Sequence, residues 1–308
     1  MGTMQTEKTH VSAKGFDLRA PHDALDILVT AQMSAAWSVR SALGAIGRAS
    51  ELAADTISSG GTLAYAAAGS SALMALADAL ELPGTYGIAP QRIRILMAGG
   101  LAALTNLAGA PEDDELQAAR DVADAGLKAG DCLIAVSASG STPYPLAAMA
   151  AAGPRGVKII GIANNPDSPI LELADVAICL PTPPEVIAGS TRMGAATAQK
   201  IALNMLSTMM ATRLGHVHDG YMVNLTADNI KLKDRARRIV TAVAGCSEDE
   251  AARWIDEAGG SVKTAILMAA GAEDPGAAEA LLERMHHRLR PALSSLRGNA
   301  GSEQRNAS

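Results

Sequence analysis

The chain has 308 residues, a formal net charge of −6, 48% apolar residues and only 2% aromatic residues. That supports a sizeable core built from Ala, Leu, Ile, Val and Met, and the missing basic blocks and aromatic platforms exclude nucleic acid as a partner. Cys132, Cys179 and Cys246 lie far apart and read as buried thiols rather than a disulfide frame or metal set. No apolar leader and no unbroken apolar stretch of spanning length is found, so a cytoplasmic protein with no membrane partner is expected.

Residues 1–20 are polar and read as a flexible N-terminal segment. From Pro21 to about Ser58 apolar residues recur at threes and fours (Ala24, Leu25, Leu28, Met33, Ala36, Val39, Leu43, Ile46), which predicts helix. Gly60 and Gly61 then mark a turn. Five short apolar runs follow, at 62–67, 94–97, 132–136, 157–162 and 176–180, and all but the last are followed by enough chain for a helix. Such alternation predicts a parallel sheet with helices on both faces.

In sheets of this kind the working loops lie beyond the carboxyl ends of the strands. Gly69-Ser70-Ser71, Ala98-Gly99-Gly100, the 137–142 segment and Asn164-Asn165-Pro166 occupy such positions. The 137–142 segment is the most informative. An apolar run ends in Ser137-Ala138-Ser139-Gly140-Ser141-Thr142, and Pro143 opens an Ala-rich helix. Hydroxyls and backbone N–H groups converge there at a helix N-terminus, which suits an anion. The glycine spacings of dinucleotide and nucleoside-triphosphate loops are both missing, leaving a small phosphorylated molecule, with a sugar phosphate the natural candidate.

Pro181-Thr182-Pro183-Pro184-Glu185 reads as a rigid exit from the sheet. Gly189-Ser190-Thr191-Arg192 opens a long helix to about Leu214, and Arg192 supplies a fixed positive charge for phosphate or a carboxylate. A helix at about 229–243 carries Lys231, Lys233, Arg235, Arg237 and Arg238 as a solvated face whose first turn could reach a ligand. Ser247 with Glu250 is a capping box opening a small helical module with weak internal repetition, and the Gly/Ser/Asn-rich tail at 297–308 reads as disordered.

Two carboxylates stand out. Glu81 has apolar neighbours on both sides, and partial burial there would raise its pKa and suit it to general-acid work. Glu112 lies in the acidic turn Pro111-Glu112-Asp113-Asp114-Glu115, which alone is more simply a solvated turn. His216 and His218 have a spacing that could ligate metal, but no third ligand is placed, so no metal site is expected.

The stretch from Ser137 to Tyr144 resembles the signature of the SIS (sugar isomerase) family. With the 189–200, 204–208, 229–239 and 245–263 segments, the chain is similar over about residues 20–296 to the N-acetylmuramic acid 6-phosphate etherases and the related glucokinase regulatory proteins. The resemblance implies an α/β three-layer sandwich with a central parallel five-stranded sheet, spanning 21–244 with its flanking helices. It also implies a small UBA-like helical domain at 245–296 and a homodimer with sugar-phosphate sites near the subunit contact. The implied activity is cleavage of the D-lactyl ether of N-acetylmuramic acid 6-phosphate without a metal or redox cofactor. The implied catalytic pair is Glu81, in Asp78-Ala79-Leu80-Glu81, and Glu112, in Gly109-Ala110-Pro111-Glu112-Asp113. The sugar-phosphate contacts expected are Gly69, Ser70, Ser71, Ser137, Ser139, Gly140, Ser141, Thr142, Ser190, Thr191, Arg192 and Lys231.

Some positions depart from the family pattern. Ser141 and Leu73 stand where family loops carry arginine, Gly194 where they carry lysine, and Ile230 where they carry an acid. The N-terminal Thr-Glu-x-Arg-Asn-Pro motif reads as absent. These departures leave two alternatives: an isomerase or lyase acting on a less anionic sugar phosphate, or a non-catalytic sugar-phosphate-binding regulator.

Overall fold

The computed structural model describes residues 5–225 and 230–306, so the expected helix start at Asn229 lies outside the described residues. The chain divides into two compact units, Met1–Leu80 with Pro90–Met210, and Glu81–Ala89 with Ala211–Ser308.

The first unit opens with helices α1 (Pro21–Ser38) and α2 (Leu43–Ser58), joined by a 3-10 turn at Val39–Ala42. Strands and helices then alternate: β1 (Leu63–Ala67), α3 (Gly69–Tyr86), β2 (Ile93–Met97), α4 (Glu115–Asp124), β3 (Cys132–Ser137), α5 (Pro143–Ala152), β4 (Lys158–Ala163), α6 (Pro169–Glu172), β5 (Val176–Cys179) and α7 (Gly194–Arg213). The last turns of α3 and α7 fall in the second unit. The five strands form one sheet in the order β2-β1-β3-β4-β5, with every neighbouring pair parallel. All five predicted runs thus become strands, and the α/β class stands.

The sheet is built for burial on both faces, as all-parallel sheets require. Every residue of β1 and β3 is buried. Helix α2 packs on β1, β3 and β5, whereas α5 packs on β1 and β3 beside α4 and α6. On one face Ala64, Ala66, Leu133 and Ala135 meet Tyr144, Ala148, Ala152 and Val122. The small residues let helices approach closely, which is how so few aromatics suffice.

The apolar pattern of α1 is helical, as predicted, but its large residues are not core. Leu25, Val29, Met33 and Trp37 are 64%, 52%, 68% and 70% exposed, while Ala35 is buried.

Within the second unit, β6 (Val217–His218) and β7 (Tyr221–Met222) make a hairpin about Asp219 and Gly220. Both turn residues have positive φ (47° and 81°), as the tightest hairpins require. Helices α8 (Ile230–Ala244), α9 (Glu248–Glu257), α10 (Val262–Ala269), α11 (Pro275–Arg284) and α12 (Leu289–Asn306) complete it. The Ser247–Glu250 capping box is present as predicted. Ala236, Ile239 and Val240 of α8 share one core with Ala251, Ile255, Ile266 and Leu282. The helical unit therefore begins well before residue 245, because the buried face of α8 belongs to it. Helix α12 continues to Asn306 through residues expected to form a disordered tail; its nucleus is anchored by buried Leu289, Ala292 and Leu293, and an established helix extends readily.

Candidate active site

The strand order sets where a ligand can enter. From β1 the chain crosses to β2 on one side, and β3 lies on the other, so the crevice beyond the carboxyl ends of β1 and β3 is the topological switch point. The 69–71 and 137–142 loops are the two that flank it.

The 137–142 loop is a knot of hydroxyls. Ser137 Oγ lies 2.7 Å from Thr142 Oγ1 and 3.2 Å from Ser139 Oγ, and Ser139 Oγ lies 3.3 Å from Thr142 Oγ1. The Gly140 N–H donates to Ser137 Oγ at 3.0 Å, and the Ser141 N–H and Oγ both approach Ser139 Oγ at 3.2 Å. Hydroxyls in such a ring can rotate toward an incoming anion, because each can donate as well as accept. Gly140 is required: its φ is +72°, and a Cβ there would stand 2.2 Å from Ser168 Oγ. Helix α5 begins at Pro143 just beyond, and Tyr144 of its first turn donates to Asp121 of α4, which fixes its direction.

The 69–71 loop opens α3 at once, so its first N–H groups have no intrahelical partners. The structure sets Glu112 against this helix start. A Cβ at Gly69 would lie 2.6 Å from Glu112 Oε1, and Gly69 has a φ of +54°, so any side chain there would strain the backbone and displace the carboxylate. The 3-10 turn bearing Glu112 (Ala110–Asp113) also packs on α5. Glu112 is half-buried, and burial, then the charge of Asp113, raises its pKa. The acidic turn is therefore not simply solvated.

The 189–192 segment does not act as the helix start that was expected. Helix α7 begins at Gly194, and its first N–H groups are taken by a protein carboxyl: Glu185 accepts from Gly194 at 2.9 Å and Ala195 at 2.8 Å. Glu185 is 5% exposed. A second anion has no place there, so any role of Ser190 and Thr191, half-buried, and of Arg192, exposed, comes from their side chains.

Glu81 and Lys231 belong to the second unit. Both are exposed, and Thr85 Oγ1 lies 3.4 Å from Glu81 Oε2. The partial burial expected for Glu81 is not found: of its neighbours Leu82 is buried but Leu80 is 64% exposed.

Among the described residues no group of three or more His, Cys, Asp or Glu gathers around His216 and His218. Burial, and then the charge of Lys263, lowers the His216 pKa to about 4. Lys263 is itself buried, its pKa lowered by that burial to about 8, and donates to the His287 carbonyl at 3.1 Å. The cysteines are free thiols.

The 164–166 loop lies beyond a strand end as the sequence predicts, but the bonds its asparagines make were not foreseen. Asn164 is fully buried and donates toward the Leu180 carbonyl and Thr182 Oγ1, while Gln199 donates to it at 2.9 Å, tying β4 to α7. Asn165 braces the hydroxyl loop, donating to the carbonyls of Ala138 (3.2 Å) and Ser139 (3.3 Å). Its other partner is Thr6, in the segment expected to be flexible.

A family model described as the SIS domain matches residues 31–164. The N-acetylmuramic acid 6-phosphate etherase of Deinococcus radiodurans is 41% identical over 264 residues, spanning 86% of this chain and 87% of the relative. That of Symbiobacterium thermophilum is 46% identical over 232 residues, spanning 75% and 77%. A solved structure from Bacteroides fragilis, described as a phosphosugar isomerase involved in capsule formation, has a TM-score of 0.50 at 22% identity. It covers 66% of this chain and 95% of that one, and agrees in fold. With its switch-point hydroxyl loop and this extent of identity, the chain belongs to the N-acetylmuramic acid 6-phosphate etherase family of SIS-domain proteins.

Proposed function

We propose that this protein is a carbon–oxygen lyase that cleaves the D-lactyl ether of N-acetylmuramic acid 6-phosphate, yielding N-acetylglucosamine 6-phosphate and D-lactate. The observation that carries the reading is the Glu112 carboxyl, half-buried against the start of α3, on a turn that packs on α5, the helix the hydroxyl loop opens. A raised pKa makes its carboxylate a stronger base, which is what abstraction of a carbon-bound proton demands.

The steps follow from the substrate. Ser137, Ser139 and Thr142 hold the phosphate with the loop N–H groups, aided by Ser70, Ser71, Ser190, Thr191, Arg192 and Lys231. Opening of the sugar ring exposes an aldehyde that acidifies the C2 proton. Glu112 takes that proton; the electron pair forms the C2–C3 double bond, and the C3–O bond to the lactyl group breaks. Glu81, as acid, gives its proton to the departing oxygen. Water then adds: its hydroxyl goes to C3 as Glu81 recovers a proton, and Glu112 returns its proton to C2.

The test is D-lactate release from N-acetylmuramic acid 6-phosphate, read by a coupled dehydrogenase. Glu112→Gln should lower kcat by about 10²–10⁴-fold, and Glu81→Gln should also fall. In the wild type, kcat/KM should decline as pH drops through the raised Glu112 pKa, an acid limb above the ordinary carboxylate range. No lactate above blank from the wild type removes this reading.

The protein is also proposed to act as a homodimer. Support comes from the α1 face that leaves Leu25, Val29, Met33 and Trp37 exposed at successive i, i+4 positions. One such stripe is self-complementary across a twofold axis.

A further inference from the structure

Thr6 is 4% exposed although it lies in a polar N-terminal segment. Its backbone N–H donates to Asn165 Oδ1 at 3.2 Å, and its hydroxyl accepts from Asn165 Nδ2 at 3.0 Å. The same Nδ2 reaches the carbonyls of Ala138 and Ser139. One buried amide therefore joins the N-terminal segment to the backbone of the hydroxyl loop.

The next residue points the same way. Glu7 is exposed, and its Oε2 lies 3.5 Å from where a Cβ at Gly189 would stand, beside Ser190, Thr191 and Arg192. Among the described residues Glu7 makes no hydrogen bond or ion pair. Thr6 is pinned to Asn165 just before it, so the Glu7 carboxylate lies close to the 189–192 segment, one residue from the anchor of the hydroxyl loop. A carboxylate in that place suits a sugar hydroxyl, which donates to it, and repels a second anion.

We propose that the Gln5–Glu7 turn is a strap that completes the sugar-phosphate site. Thr6 is a positioning residue that acts on the 137–142 loop through Asn165, and Glu7 is a specificity residue that accepts a hydrogen bond from a sugar hydroxyl. The identity of the sugar rests on the etherase reading; the strap itself does not.

The test is calorimetric titration of the full-length protein with inorganic phosphate and with N-acetylglucosamine 6-phosphate. Thr6→Val, which keeps the shape and loses the hydroxyl, should weaken both ligands by about fivefold, and Thr6→Ser should restore them. Glu7→Gln should weaken the sugar phosphate by about tenfold and leave inorganic phosphate as tight or tighter. The positioning role is overturned if Thr6→Val binds phosphate as the wild type does, or if Thr6→Ser fails as badly as Thr6→Val. The specificity role is overturned if Glu7→Gln binds the sugar phosphate unchanged, or loses both ligands equally. Wild-type protein that binds both ligands but releases no D-lactate would end the etherase reading while the strap results stand on their own.

Discussion

Asp78 shows how one side chain can work against its own charge. It is 4% exposed and accepts from Tyr65 at 3.0 Å, Asn204 at 3.0 Å and Ser207 at 2.8 Å. Burial raises its pKa, and the three donors, with Lys200, offset only part of that. Between the unfolded and the raised folded pKa the native state holds the extra proton. Stability therefore falls as pH rises through that window, the contribution being complete only below the unfolded value. Asp78→Asn keeps an acceptor for Asn204 and Ser207 and offers Tyr65 a donor. Urea midpoints measured across pH should show this variant gaining on the wild type as pH rises from below the ordinary carboxylate range, then running parallel. A constant difference at every pH would contradict the assignment. Residues of this kind are hard to read in sequence, because Asp78 sits amid apolar neighbours with partners as distant as Ser207. Thr6 was hidden for the same reason. A threonine in a polar stretch carries no local mark of its bond to Asn165. The hydroxyl loop was legible because strand, hydroxyls and helix start are contiguous.

Among the elements, α7 carries the clearest energetic consequence. Its N-terminus is buried with Gly194 and Ala195 donating to Glu185, a satisfied anion at a helix dipole's positive end. Glu185→Ala leaves both N–H groups buried without an acceptor and should cost about 1–3 kcal/mol, seen as a lower melting temperature. Glu185→Gln should fall between, since its amide accepts through one oxygen only. Glu185 lies in a proline-rich connection, a context that reads as exposed, so its burial had no sequence signal. The strands were the opposite case. Their apolar runs are buried on both faces, and composition alone marks them. In α1 the period was clear but the buried side was not, because its one buried residue is Ala35, where a large residue would be expected.

At the scale of the molecule, the parallel sheet followed from alternation, whereas its strand order, and with it the switch point, and the packing of α8 did not. Helix α8 looks like a basic surface helix, yet its Ala236, Ile239 and Val240 complete the helical core. A charged face is obvious in sequence; the narrow apolar face opposite gains meaning only from what it meets. The exposed stripe of α1 yields the prediction at this level. Light scattering after gel filtration should give twice the chain mass of 31.4 kDa. Replacing both Met33 and Trp37 with Glu should return the monomer, with far-UV circular dichroism retained. A monomeric wild type would remove the dimer.

The scarcity of aromatics has an optical consequence. The chain holds two tryptophans, and they report on different things. Trp37 stands 70% exposed on α1, 4.8 Å beneath the Arg40 guanidinium, while Trp254 packs against the helical core of the second unit. Intrinsic emission thus separates into a signal from the face of α1, quenchable in a lone chain and shielded once that face pairs in the dimer, and one from the helical unit. Each unit of this protein carries its own built-in fluorophore, so the melting of one can be followed without labelling the other.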